Sequence, residues 1–190
     1  MKNILFFGDS LTAGFGLRNA ALESFPSLIG QKINAAQIDY NVINAGLSGD
    51  TSAGGLNRIG YWTSQPVSVL VLELGINDII RGVAPQTTMI NLQAIIDKVK
   101  LKYPEVKMAL MGMEVPLFVP VPFAEQFRGI YRKLADTNQM TFVPFFLEGV
   151  AGLPHLNLPD RLHPNAQGYK VIADKTWPAL KDLLSSVKTN

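Results

Sequence analysis

Short apolar runs alternate along this chain with segments in which apolar residues recur every three or four positions. The runs predict strands at 4–7, 38–43, 67–74, 106–113 and 141–146. The middle three are almost entirely Ile, Val, Leu and Met at their centres. Nearly continuous apolar strands are typical of a parallel sheet that is covered on both faces.

The intervening stripes predict helices. Apolar positions that would share one helix face are Phe25, Leu28, Ile29 and Ile33; Met89, Leu92, Ile96 and Val99; and Phe123, Phe127, Ile130, Tyr131 and Leu134. A last helix is expected to begin after Asn165 as N-cap and to be kinked or restarted at Pro178. The alternating order predicts an α/β fold, a flavodoxin-like three-layer α/β/α sandwich with a five-stranded parallel sheet, in a single domain over residues 1–190.

Composition supports one compact unit and limits its chemistry. The chain has 190 residues, 47% hydrophobic and 17% charged, and a folded chain of this length buries about 70% of its surface. With a net charge of +2 and no basic cluster, nucleic acid is not an expected partner. No cysteine and only two histidines leave no thiolate or three-histidine metal site, so we expect neither a metal nor another cofactor.

The chain lacks the about 18 consecutive apolar residues that a membrane span needs. Lys2 is followed by only Asn3 and four apolar residues before 8–10, so the sequence as written shows no export signal. We therefore expect a cytoplasmic monomer acting on a small molecule, or a periplasmic or secreted one if a leader has been removed.

Polar, glycine-rich clusters follow four of the predicted strands. They are Gly8-Asp9-Ser10-Leu11, the segment 44–50, Gly75-Ile76-Asn77-Asp78, and the segment 159–165. In open parallel sheets, ligands bind outside the carboxyl ends of the strands, so these clusters mark the expected site.

Ser10 is a candidate nucleophile, and a serine needs a base that takes its proton. His163 is a candidate base, because Asp160 lies three residues earlier and could hold its ring. Both candidates also have a simpler, structural interpretation. Gly8-Asp9-Ser10 suits an ordinary turn, and an Asp-x-x-His pattern such as that ending at His163 suits the cap at a helix start. No G-x-S-x-G elbow is present, and His155 is expected to be structural or exposed.

Acyl transfer also requires donors to the oxygen that becomes negative, each worth about 3 to 4 kcal/mol. The Gly46 N–H and the Asn77 amide are candidates, although a turn glycine and a helix cap explain them equally well. Asp9, Asp50 and Asp78 could gather a hard metal ion, but hydrogen bonds within their loops are the simpler interpretation.

The four blocks, in this order and over residues 4–184, resemble the SGNH hydrolases, also called the GDSL esterase/lipase family. Within it the chain is most similar to the single-domain arylesterase and thioesterase I/lysophospholipase group of bacteria. The resemblance implies Ser10 as nucleophile, His163 as base and Asp160 as its acid, with an oxyanion hole from Ser10, Gly46 and Asn77 and with Asp9 holding the Ser10 loop. Arg161 stands where the common version of the last block has Gly.

The resemblance also implies an acyl groove. Its expected lining, which could instead cap the core, is Ile76, Ile79, Val115, Leu117, Phe118 and Arg161. We expect a cofactor-free serine esterase for short- to medium-chain acyl and aryl esters, with thioesterase or lysophospholipase activity as further expectations. The alternatives are a carbohydrate O-deacetylase of the same fold and a non-catalytic acyl-binding protein.

Overall fold

A parallel sheet forms the centre of the fold. The computed structural model of the chain describes residues 2–113 and 121–186. Within those residues the strands are β1 (Lys2–Gly8), β2 (Tyr40–Gly46), β3 (Val69–Glu73), β4 (Lys107–Met111) and β5 (Thr141–Val143). They lie in the order β2-β1-β3-β4-β5, and every neighbouring pair is parallel. The predicted five-stranded parallel sheet is confirmed.

Two strands differ from the apolar runs that predicted them. β2 runs on to Gly46, three residues beyond its run, because it pairs with β1 along its whole length. It is an edge strand, where polar side chains can face water. β5 stops at Val143, because the next residue, Pro144, has no N–H to donate to a neighbouring strand.

Helices cover the sheet on both faces. Over the described residues they are α1 (Ser10–Ala13), α2 (Ala20–Glu23), α3 (Phe25–Ala35), α4 (Ser52–Trp62), α5 (Ile76–Ile80), α6 (Pro85–Lys102), α7 (Val121–Asn138) and α8 (Ala166–Ser185). α3 packs against α8, whereas α4 packs against α6 and α6 against α7. The two groups are the outer layers of the expected α/β/α sandwich.

The sequence analysis assigned no stripe to α4. Three glycines, at positions 54, 55 and 60, lower its intrinsic helix propensity and interrupt the apolar pattern. A Cβ at Gly55 would lie 2.5 Å from Leu74 Cδ1 and 3.2 Å from the Phe7 ring. The glycine therefore allows α4 to pack closely on the sheet, at a cost in helix propensity.

The last helix begins as expected. The Asn165 side chain accepts hydrogen bonds from the N–H groups of Gln167 and Gly168, at 2.9 and 3.0 Å, so its role as N-cap is confirmed. α8 continues through Pro178 without a break, so no restart occurs there. None of the helices in the described part of the chain is long and apolar enough to cross a membrane.

Two carboxyl groups are buried where β1 and β3 end. Glu73 is 1% exposed, and its Oε2 accepts hydrogen bonds from Thr12 Oγ1 at 2.7 Å and from the Asp9 N–H at 3.3 Å. Burial, with the neighbouring Asp50 carboxylate, raises the pKa of Asp9 to about 7. Burial and then Asp9 raise the pKa of Glu73 well above its usual value. The fold therefore holds protons that an unfolded chain releases.

These shifts predict that Glu73 makes the free energy of unfolding fall as pH rises. Above pH 4.5, the ordinary value for Glu, the unfolded chain has lost this proton while the folded chain still binds it. One such proton changes the free energy of unfolding by at most about 1.4 kcal/mol per pH unit. We expect Glu73→Gln to reduce this decline, measured by urea unfolding from pH 4.5 to 8.

Asp39→Asn is the matched control, because Asp39 is exposed. It should keep the wild-type slope. Equal slopes for wild type and Glu73→Gln would contradict the proton assignment.

Candidate active site

A shallow cleft of about 170 Å³ opens at the carboxyl edge of the sheet. The loops that follow β1, β2, β3 and β5 all contribute to it, as expected from the order of polar clusters. The lining residues are Ser10, Leu11, Phe15, Ser48, Gly49, Ile76, Asn77, Leu162 and His163.

Ser10 is the first residue of the short helix α1, directly after β1. The Asp9 side chain caps this helix by accepting a hydrogen bond from the Leu11 N–H at 3.0 Å. The turn is tight, because a Cβ at Gly8 would lie 2.1 Å from Thr12 Oγ1 and 2.5 Å from the Glu73 carbonyl oxygen. Glycine before Asp9 therefore allows the chain to present the Ser10 hydroxyl at the cleft.

Two consecutive hydrogen bonds connect the Ser10 hydroxyl to the His163 ring and that ring to the Asp160 carboxylate. His163 Nε2 lies 2.9 Å from Ser10 Oγ, and its Nδ1 lies 2.7 Å from Asp160 Oδ2. The other Asp160 oxygen accepts hydrogen bonds from the N–H groups of Leu162 and His163, at 2.9 and 3.0 Å. With Nδ1–H donating to the carboxylate, Nε2 is free to accept the serine proton.

Asp160 is held in its ionised form. Burial alone would raise its pKa, but hydrogen bonds from the His163 backbone and ring and from the Leu162 N–H outweigh that effect and lower it. A carboxylate at this position can stabilise the imidazolium that forms when His163 takes a proton.

Phe15 was not singled out by the sequence analysis, yet it forms one wall of the cleft. Its ring centroid lies 4.7 Å from that of His163 and it remains 48% exposed. Glycines with positive φ, Gly14 at 80° and Gly16 at 76°, flank it and turn the chain so that the ring reaches His163. An exposed aromatic between two glycines was the available signal.

Asn77 lies in the cleft but its amide is already engaged. Nδ2 donates to Asp9 Oδ2 at 3.1 Å and to the Asp50 carbonyl oxygen at 2.9 Å. These bonds connect the loops after β1, β2 and β3. Asn77 thus joins the turn that carries Ser10 to the loop that carries Gly49.

Gly46, expected to offer its N–H to the substrate, does not lie at the cleft. Its N–H donates to Asn44 Oδ1 at 3.0 Å, and it does not line the cleft. A Cβ at Gly46 would lie 2.2 Å from the Ala13 nitrogen, so glycine is needed there for packing against α1. Gly49, three residues later in the same loop, lines the cleft instead and has a φ of 79°.

The expected groove residues divide into three groups. Ile76 lines the cleft, whereas Ile79 is buried in the core and does not. Arg161 is exposed and lies outside the cleft lining. Its φ is 58°, a left-handed conformation that favours the glycine which the resemblance implies at this position. Val115, Leu117 and Phe118 lie outside the described residues.

Asp50 and Asp78, which the sequence analysis considered as metal ligands, are bound by neighbouring donors. Asp78 accepts hydrogen bonds from the Ser52 N–H at 2.8 Å, the Ser52 hydroxyl at 2.5 Å and the Thr88 hydroxyl at 3.1 Å. Asp50 pairs with Arg58 at 2.6 Å. No group of three acids or histidines among the described residues could hold a metal ion, and His155 is exposed. The loop hydrogen bonds expected for these acids are present.

Known proteins share this sequence pattern and fold. The chain is 34% identical over 184 residues to esterase TesA of Pseudomonas aeruginosa, covering 96% of this chain and 90% of that protein. It is 38% identical over 184 residues to thioesterase 1/protease 1/lysophospholipase L1 of Escherichia coli K12, covering 96% of this chain and 85% of that protein. The crystal structure of the psychrotrophic esterase EstA from Pseudoalteromonas sp., inhibited by monoethylphosphonate, superimposes with a TM-score of 0.89 at 29% identity, covering 98% of this chain and 100% of that one.

A family model agrees with these relatives. The model of the GDSL-like lipase/acylhydrolase family matches residues 6–171, which include both Ser10 and His163. The match covers most of the chain, and relatives above 30% identity extend over nearly its whole length. This chain belongs to the GDSL-like lipase/acylhydrolase family, the SGNH hydrolases.

Proposed function

We propose that this protein is a serine esterase that cleaves short- to medium-chain acyl and aryl esters through an acyl-enzyme. The observation that carries the proposal is the continuous hydrogen-bonded line from Asp160 through His163 to Ser10, with distances of 2.7 and 2.9 Å. A hydroxyl, a base and an orienting acid in this relation are what nucleophilic attack on an ester carbonyl requires.

The proposed reaction has two halves. His163 Nε2 takes the Ser10 proton as Oγ bonds to the carbonyl carbon, and the imidazolium then gives that proton to the departing alcohol oxygen. In the second half a water molecule loses a proton to Nε2, attacks the acyl carbon and releases the acid with Ser10 restored. Asp160 stabilises the imidazolium in both halves.

Two backbone donors support an oxyanion hole. Ser10 and Gly49 both line the cleft, and neither backbone N–H has a hydrogen-bond acceptor among the described residues. Gly49 thus replaces Gly46 in the proposal. The Asn77 amide would be a third donor, provided that it exchanges its bond to Asp9 or to the Asp50 carbonyl for one to the oxyanion.

The cleft favours small substrates. Leu11, Phe15, Ile76 and Leu162 make its walls largely apolar, and its volume is about 170 Å³. An apolar wall suits an acyl chain or an aromatic alcohol. Because the cleft volume is small, only a few methylene groups of the substrate can be buried there. One relative is named as a thioesterase and lysophospholipase as well as a protease, so thioesters belong in the same set of tests.

The proposed nucleophile can be tested by removing its hydroxyl. Ser10→Ala should fold normally and lose p-nitrophenyl butyrate hydrolysis by roughly 10⁴-fold or more, because no acyl-enzyme can form. A phosphonate probe followed by peptide mass spectrometry should label Ser10. Ser64→Ala, an exposed serine whose hydroxyl donates to the Tyr61 carbonyl, is the control and should keep wild-type turnover.

Labelling of Ser48, which lines the same cleft, would move the nucleophile to the loop after β2. Retained turnover in Ser10→Ala would end the proposed mechanism.

The size of the cleft predicts which esters are hydrolysed fastest. Turnover of p-nitrophenyl esters should be highest between acetate and octanoate and low for palmitate, because the cleft is shallow. An acyl-CoA and an acetylated sugar, assayed beside them, test thioester hydrolysis and the O-deacetylase alternative. A higher kcat/KM for the acetylated sugar than for every aryl ester would replace the aryl-ester assignment.

We expect Phe15 to contact the alcohol side of the ester. His163 must protonate the leaving oxygen, so the leaving group lies beside the ring that packs on His163. Phe15→Leu should lower kcat/KM for p-nitrophenyl butyrate about 2- to 10-fold more than for ethyl butyrate, because the lost interaction is between aromatic rings. Equal losses for the two butyrates would remove Phe15 from the leaving-group site.

A further inference from the structure

Arg58 lies on α4 beneath the cleft, and no step of the proposed reaction uses it. Its Nε donates to Asp50 Oδ2 at 2.6 Å, Nη1 to the Ala45 carbonyl at 2.8 Å and Nη2 to the Gly8 carbonyl at 2.8 Å. Its guanidinium carbon lies 4.0 Å from the centre of the Phe7 ring. The side chain is only 18% exposed, so these contacts are largely shielded from water.

Two of the three acceptors lie close in sequence to groups of the proposed oxyanion hole. Gly8 stands two residues before Ser10, and Asp50 directly follows Gly49. The Asp50 carbonyl also accepts a hydrogen bond from the Asn77 amide at 2.9 Å. One side chain therefore binds the ends of β1 and β2 and the Asp50 side chain, which belongs to the loop that carries Gly49.

We propose that Arg58 is a positioning residue that sets the separation of the Ser10 and Gly49 N–H groups. The inference rests on the proposed function, because the two N–H groups matter only if they bind the oxyanion of an ester. Arg58 does not touch the substrate in this proposal. It acts through the Gly8 and Ala45 carbonyls and through the Asp50 side chain.

The chemistry of the guanidinium suits this task better than that of an ammonium. Arginine presents planar, divergent N–H donors in a fixed geometry, whereas lysine has one flexible nitrogen. A lysine at position 58 could not keep all three bonds in their present directions. Asp50 is 6% exposed at its side chain, and a weakened partner would leave its carboxylate poorly compensated in the interior.

The expected effect falls on the chemical step. An oxyanion hole interacts more strongly with the transition state than with the substrate, so displaced donors lower kcat and leave KM nearly unchanged. A phosphonate also places an anionic oxygen at that position when it reacts with Ser10. Its rate of reaction should therefore fall together with kcat.

The test is Arg58→Lys in the full chain, with Arg132→Lys as matched control. Arg132 lies on α7 with its guanidinium carbon 4.5 Å from the Phe142 ring, so the control also removes an arginine stacked on a phenylalanine. We expect kcat for p-nitrophenyl butyrate to fall about 10- to 100-fold in Arg58→Lys, with KM within about 2-fold and an equal loss in phosphonylation rate. Arg132→Lys should stay within about 2-fold on every measure.

Asp50→Asn provides a second variant if Arg58→Lys does not fold. It keeps the Asp50 carbonyl and leaves Arg58 its bonds to Gly8 and Ala45, so a smaller fall in kcat is expected. The folded fraction of each variant is measured by circular dichroism and urea unfolding. Losses in kcat that equal the loss of folded protein, or a rise in KM with kcat unchanged, would overturn the positioning role.

The outcomes separate this inference from the proposed function. If Ser10→Ala is inactive while Arg58→Lys and Asp50→Asn keep the wild-type kcat, the serine mechanism stands and the role of Arg58 is refuted. If Ser10→Ala keeps its activity, the proposed function fails by itself.

Discussion

The hydrogen bond between Ser10 and His163 joins two residues 153 positions apart, and the rest of the site depends on it. The parallel sheet makes this contact possible. β1 lies inside the sheet and β5 at one edge, and both direct their carboxyl ends to the same side, where the loops that follow can meet. A second bond across the chain, from the Tyr169 hydroxyl to the Leu11 carbonyl at 2.9 Å, ties the last helix to the turn after Ser10. The Ser10–His163 pair is thus held from both sides.

Beneath that pair lies a layer of buried polar groups that fixes the loops to one another. Asp9 connects α1 to Asn77, Asp78 connects α5 to α4 and α6, and Arg58 connects the ends of two strands to Asp50. Buried polar groups are costly unless they are paired, and most of those here have several partners. Glu73 has two donors at Oε2, but its Oε1 is buried without a partner among the described residues. A carboxyl in that setting is more stable when protonated, which agrees with its raised pKa.

Much of this arrangement could be predicted from the sequence, because it depends on local pattern and on strand order. The five apolar runs located the strands, and the polar clusters that follow them located Ser10, Asn77, Asp160 and His163. The position of Gly46 could not be resolved in this way, since Gly46 and Gly49 occupy one loop and only the pairing of β2 with β1 decides which faces the cleft. Phe15 was missed for a related reason, because its contact with His163 is formed between distant parts of the chain.

The long separation between Ser10 and His163 has a consequence during protein synthesis. A growing polypeptide that has already folded β1 to β4 would carry Ser10 without His163, since the imidazole is added only after β5. On the proposed mechanism, such an intermediate would not hydrolyse esters. On the same mechanism, ester hydrolysis by the finished molecule would report on the docking of the segment after β5, which carries Asp160 and His163.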